Sequence, residues 1–325
     1  MRRYCCNIVA LTLISFAGIV CAQTYPSKPI RIVVPFAPGG GVDFTARIVG
    51  QKLGEAFGQP VVADNRAGAA GAIGTEFVAK AAPDGYTLLL GSAGPLAILP
   101  GISSRLPYDP VASFAPIALV SSLPFVLVVH PSLPVKSVQD LIALARAKPG
   151  QLNYASPGSG STTHLVAELF KALAKLDIVH VPYKGVAPAV ADLLAGQVQL
   201  MSGDLSTVMP QVKAGKLRAL ALTGAKRSNL APELPTIAEA GVPGYEASGW
   251  FGVLAPAATP REIVTRLNAA IVKGIMDNDT RDRLAALGGD VGGGTPAEFA
   301  SRLRSDLVKW SSLIKAIGLK AETAG

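Results

Sequence analysis

The sequence predicts an α/β protein with mostly parallel sheets. Apolar, β-branched runs of strand length alternate with amphipathic, helix-length segments through most of the chain, which is the rhythm of βαβ units. The connections are short and rich in Pro, Gly, Ser and Asp, the residues that turns demand. Past residue 254 the alternation gives way to helical segments alone, so the end of the chain is expected to pack back onto a sheet already formed. A length of 325 residues corresponds to about two domains.

The first strand lies within YPSKPIRIVVPFAPGGG, residues 25–41. Ile30, Ile32, Val33 and Val34 form a β-branched run typical of a strand covered on both faces, and Pro35, which cannot donate to a central ladder, stops it. Asp43 stands where a helix N-cap belongs, ahead of an amphipathic helix over 44–57 closed by Gly58. A strand over 60–63, a helix over 72–81 and a strand over 86–90 follow, with Pro83-Asp84-Gly85 as the turn before the last of these. Two apolar runs, 116–120 and 125–130, are separated by Ser121-Ser122-Leu123-Pro124, and a helix over 138–147 ends at Pro149-Gly150. Strands over 152–155, 178–181, 198–201 and 217–222 then alternate with helices over 163–174, 188–195 and 207–214. One more strand covers 249–254, and helices are expected over 260–276, 280–287 and 296–317. Pro260 and Pro296 each follow a Thr, an N-cap and then Pro at the first helical position. One lobe is therefore expected from 23–122 plus 249–325 and the other from 123–248, with the chain crossing at 125–130 and returning at 249–254.

Arg2 and Arg3 precede an apolar run from Ile8 to Val20, and Val20-Cys21-Ala22 offers small residues for cleavage before Gln23. This is the layout of a secretory signal peptide over 1–22, with a core shorter than the roughly 20 residues of a spanning helix. Lipid attachment at Cys21 is the competing reading, disfavoured by Val20 where a small residue is expected. All three cysteines, Cys5, Cys6 and Cys21, lie inside the leader. The exported chain then has no disulfide, no thiolate metal site and no cysteine nucleophile. The formal net charge of +8 includes the two leader arginines. The remaining basic residues are scattered or paired and aromatics are scarce, which excludes the concentrated basic face of a nucleic-acid binder.

Two loops carry the chemistry. Pro38-Gly39-Gly40-Gly41 joins a strand to a helix start with almost no side chains, so backbone can approach a ligand where free N–H groups and a partial positive charge meet it. Pro157-Gly158-Ser159-Gly160-Ser161-Thr162-Thr163 sits at another strand exit, outside the carboxyl end of a strand in an open parallel sheet. Alone it is an ordinary βα loop with a Ser/Thr cap; paired with the first loop it forms the second side of a site for a small anion such as a carboxylate. Tyr183 and Lys184 follow a further strand, and Asp204 another; Asp204 either caps a helix or accepts a hydrogen bond from a hydroxyl, amide or ammonium. There is no dinucleotide fingerprint, Walker sequence or G-x-S-x-G elbow. His130, His164 and His180 are the only histidines and none has metal spacing. A hydrolase using Ser159 or Ser161 with His164 is the enzymatic alternative, short of a recognisable orienting group and oxyanion hole.

The ordered stretches YPSKPIRIVVPFAPGGGVDFTAR (25–47), PDGYTLLLGS (83–92), LPYDP (106–110), NYASPGSGSTTHL (153–165), HVPYKGVAPAVADLLAGQVQLM (180–201), AGKLRALALT (214–223) and LPTIAEAGVPGYEASGWFGVLAP (234–256) resemble the periplasmic substrate-binding proteins of tripartite tricarboxylate transporters, the Bug-type family. The resemblance implies a two-lobed Venus-flytrap clamshell with its ligand between the lobes. It implies no catalysis and no cofactor: a periplasmic monomer that captures a di- or tricarboxylate, aromatic acid, amino acid or amide. Such a protein delivers its ligand to transporter subunits in the membrane or to a sensor. By motif position the first lobe contributes Phe36, Ala37, Gly39, Gly40 and Ser92, and the second Gly158, Ser159, Ser161, Thr162, Tyr183 and Asp204. Ala37, Ala67, Ala70 and Ser202 depart from the residues common in the family, so the ligand is not carried over from any relative.

Overall fold

A computed structural model describes residues 25–318 except 37, 104, 160, 184 and 185. The leader with its cysteines, Ala37 and Lys184 lie outside the described residues. Ten strands form one sheet with two regions joined through a long central strand. In the first region β1 (Ile30–Val34) lies parallel to β2 (Val61–Asn65) and β3 (Thr87–Ser92), and β9 (Ser248–Pro256) runs antiparallel to β3. In the second, β5 (Asn153–Ser156) lies parallel to β6 (Val179–Pro182) and β7 (Leu200–Asp204). The strand between them is β4 (Phe114–Val129), whose pairings with β9, β7 and β8 (Arg218–Leu222) are all antiparallel. The result is an α/β fold, parallel in its outer strands and antiparallel at its centre.

The two runs expected on either side of residues 121–124 are thus a single strand. Its first part, to Pro124, pairs with β9, and from Phe125 onward it pairs with β7 and β8. Its prolines are tolerated because of where they fall. Pro116 sits at a register shift and Pro124 at the last β9 pair before the strand changes partners, the irregular or terminal positions open to a residue without an N–H.

Helices α1 (Gly41–Phe57), α2 (Ala72–Ala79), α3 (Leu99–Ile102), α4 (Val138–Ala147), α5 (Thr162–Ala174), α6 (Val186–Leu194) and α7 (Leu205–Lys213) follow the strands in order. After β9 come α8 (Arg261–Ile275), α9 (Asn278–Ala286) and α10 (Pro296–Ile317). A wide helical turn, Gly94–Ile98, leads into α3; Pro95 and Pro100 hide this segment from a reading based on helix propensity. A tenth strand, Asp290–Gly293 (β10), pairs antiparallel with β4 where only helices were expected. Its sequence DVGG has little strand propensity, but a Cβ at Gly292 would lie 2.5 Å from the Leu119 carbonyl oxygen, so the pairing needs a glycine there.

Each region buries its own core, one around Ile32, Val49, Leu88 and Val253, another around Val126, Leu193, Met201 and Val208. Helix α10 serves both regions. Phe299 and Leu303 near its start pack with Val33, Leu89 and Trp250, while Trp310, Leu313 and Ile314 pack with Phe125, Tyr154 and Phe170. Its start is fixed by a capping box, with Thr295 accepting from the Glu298 N–H and Glu298 accepting from the Thr295 N–H.

Candidate functional site

A cavity of about 390 Å³ opens between the two sheet regions, a volume suited to a small organic molecule. Its walls come from the carboxyl ends of β1, β3, β5 and β7, where open α/β sheets place ligands. On the first region's side stand Phe36, Val42, Ser92, Trp250 and Phe251; on the second, Phe125, Pro157, Ser161, Thr162, Thr163 and Asp204. Ile98, Leu99 and Ile102 of the turn after β3, together with Leu123, complete a mostly apolar lining. Of the residues expected from sequence, Phe36, Ser92, Ser161, Thr162 and Asp204 come together here. Gly39, Gly40, Gly158, Ser159 and Tyr183 are not among the lining residues.

The second region's side is built on the start of α5. Ser161 is its N-cap, and its Oγ accepts the His164 backbone N–H at 3.3 Å. The N–H groups of a helix's first turn have no partner within the helix, and the first turn of α5 contains no acidic side chain. Thr163 is 7% exposed, lines the cavity, and its hydroxyl has no hydrogen-bond partner among the described residues. The approach loop is held from behind. Ser156 Oγ lies 2.6 Å from His180 Nε2, donates to the Gly158 carbonyl at 3.1 Å and accepts the Gly158 N–H at 3.2 Å. His180 stacks on His164 with ring centres 4.0 Å apart, and on Tyr154 at 4.8 Å. Burial, reinforced by the neighbouring His164, lowers the His180 pKa to about 4, so this ring is neutral near pH 7 and serves as a hydrogen-bonding prop.

The loop before α1 is organised differently. The helix begins at Gly41 with Gly40 as N-cap, and Asp43, expected as the cap, is the third helical residue. Its buried carboxylate accepts the Gly39 N–H at 3.1 Å, both Arg47 Nε and Nη2 at 3.1 and 3.0 Å, and Asn65 Nδ2 at 3.0 Å. Burial opposes the charge, but these bonds outweigh it and hold the Asp43 pKa below its ordinary value. Asn65 also donates to the Phe36 carbonyl at 3.1 Å. Gly39 has φ +90°, a conformation suited to glycine, whereas Gly40 has φ −90° and a Cβ there would meet nothing within 4 Å. The glycine requirement expected of this loop therefore falls on Gly39, and its N–H bonds inward.

Asp204 is the only ionisable side chain among the described residues lining the cavity. It ends β7 opposite Phe125 and is the N-cap residue of α7, though its side chain makes no capping bond. Burial raises its pKa, an effect its own backbone N–H only partly offsets. The hydroxyl of Tyr183 turns to Asp192 Oδ2 at 2.8 Å, and burial together with that carboxylate raises its pKa to about 12. Trp250 is anchored from behind the wall, where Nε1 donates to Asp306 Oδ2 at 2.9 Å. Asp306 is itself buried and receives Arg302 Nε at 2.8 Å and Lys309 Nζ at 3.0 Å. The apolar wall escaped the reading of sequence. Its only local signal was GPLAILPGI, an apolar run placed at a strand exit.

Residues 45–319 match the model of the tripartite tricarboxylate transporter family receptor. The chain belongs to that family. It is 44% identical over 317 residues to the UPF0065 protein in the tcbD-tcbE intergenic region of a Pseudomonas species, covering 94% of both chains. It is 40% identical over 311 residues to BugT of Bordetella pertussis, covering 94% of this chain and 95% of BugT. Among solved structures, an R. palustris protein with adipate superposes at a TM-score of 0.76 with 41% identity, covering 91% of this chain and 99% of that one. MatC from Rhodopseudomonas palustris with bound malate superposes at 0.72 with 32% identity, covering 89% of this chain and all of that one. The family is one of solute-binding receptors, not enzymes. The hydrolase alternative finds no support there, and the stacked, buried His164 ring is packed into the prop behind the loop.

Proposed function

We propose that this protein is exported by its leader and works as a monomeric receptor. It captures a small organic acid between the two sheet regions and passes it to a tripartite transporter or a sensor. The observation that carries the reading is the start of α5. Ser161, Thr162 and Thr163 at this helix start line a mostly apolar cavity, and the N–H groups of a helix's first turn have no partner within the helix. Such groups bind a carboxylate without a cationic side chain, and low local polarity strengthens each bond. The apolar lining favours an acid with a hydrocarbon body, in keeping with the adipate held by one relative. The two regions act as lobes that close about the partner exchange in β4 and its pairing with β9, with Ser92 and Phe36 meeting the ligand from the first lobe.

Native mass spectrometry of freshly purified protein, thermal shift against a carboxylate panel and product analysis test this together. A ligand at 100 times its dissociation constant adds about 2.7 kcal/mol to folding stability, is recovered unchanged, and reduces the radius of gyration. A panel without any binder, or one in which an acid is consumed, overturns the reading.

A further inference from the structure

Resting on that receptor reading, we infer that Asp204 sets the ligand class: one carboxylate, plus an uncharged or cationic hydrogen-bond donor that meets the Asp204 carboxylate. Three observations converge. Asp204 is the only ionisable side chain among the described residues of the cavity wall. Among those residues its carboxylate bonds to no other side chain and forms no ion pair, in contrast to Asp43, Asp192 and Asp306, which are all engaged. Its strand β7 lies beside β5, which leads into the start of α5, so carboxylate and donor are read by neighbouring strand ends.

Charge then discriminates between acids of the same shape. A monoacid brings one negative charge to the first turn of α5 and can donate an O–H or N–H to Asp204. A diacid brings a second negative charge into an apolar cleft already holding one, with no cation among the described wall residues to offset it. Like charges a few ångströms apart in a poorly solvated site repel by an amount worth about a factor of ten or more in affinity. Burial already raises the pKa of Asp204 without a ligand, in keeping with a carboxylate lacking compensation.

The test is calorimetric titration of the full mature chain at pH 7.5 with six-carbon acids: adipate, adipamate, 6-hydroxyhexanoate, 2-hydroxyhexanoate and hexanoate. At least one donor-bearing monoacid is expected to bind tenfold or more tightly than adipate. In Asp204→Asn, the ratio of adipate to that monoacid should rise at least tenfold, and Asp204→Ala serves as a second variant should the amide find a new partner. Circular dichroism and melting confirm that each variant is folded. Adipate binding as tightly as every donor-bearing acid, or a ratio unmoved in both variants, overturns the role of Asp204 while leaving the receptor reading intact. No binding by any acid in this set or the wider panel defeats both.

Discussion

The loops that open α1 and α5 look alike in sequence and differ in what satisfies them. Both leave a strand through Pro and Gly and deliver backbone N–H groups to a helix start. At α1 the chain supplies its own anion, since Asp43 turns back to the Gly39 N–H while Arg47 and Asn65 neutralise and orient it. At α5 the chain supplies no acid in the first turn, only hydroxyls. A helix start with an internal carboxylate is a structural joint, and one without is open to a ligand's carboxylate. Counting glycines does not separate the two; locating the nearest acid does.

The largest effect that tests the contrast is on stability. Asp43→Ala removes four hydrogen bonds from a buried carboxylate and is expected to cost about 2–3 kcal/mol by urea unfolding. A cost below about 0.5 kcal/mol, the range of an ordinary surface change, would make the α1 loop a ligand site after all. The same pairing has a pH signature. Because the folded pKa of Asp43 lies below its unfolded value, its contribution is full above the unfolded pKa and disappears as pH falls through the folded one. The stability gap between wild type and Asp43→Asn should therefore shrink as the solution is acidified below about pH 4.

Next in size is an effect on binding alone. Thr162→Val conserves shape at a cavity-lining position in the first turn of α5, so stability should change by under about 0.5 kcal/mol. Affinity for the preferred acid should fall about tenfold, the worth of one hydrogen bond to a charged group. Unchanged affinity would place the carboxylate elsewhere on the cleft wall, and Ser92 is the next residue to vary. The smallest effect is expected at Gly40, where φ is −90° and nothing lies within 4 Å of an added Cβ. Gly40→Ala should change stability and affinity by under about 0.5 kcal/mol, whereas Gly39→Ala, at φ +90°, should destabilise by about 1 kcal/mol or more. Equal behaviour of the two variants in paired melting curves would remove the distinction between them.

What was legible in the sequence is what depends on neighbours along the chain. Helices 138–147 and 296–317 were bounded correctly because Ser137 and Thr295 cap them and their apolar residues recur at helical spacing. The ordered motifs along the chain also carry the family resemblance. Tertiary structure alone decided the rest. It carried β4 through Pro116 and Pro124 by setting them at a bulge and at a change of partner, and made a strand of DVGG by pairing it with β4, where Gly292 leaves room for the Leu119 carbonyl. It also brought Asn65 across 22 residues to Asp43, turning an apparent anion loop into a self-satisfied one, and gathered Ile98, Leu123, Phe125 and Trp250 into one wall. Capping and periodicity are local free-energy terms that a short window of residues expresses in full. Burial, the nearest counter-charge and the shape of a cavity are sums over segments distant in sequence, and no single segment carries them.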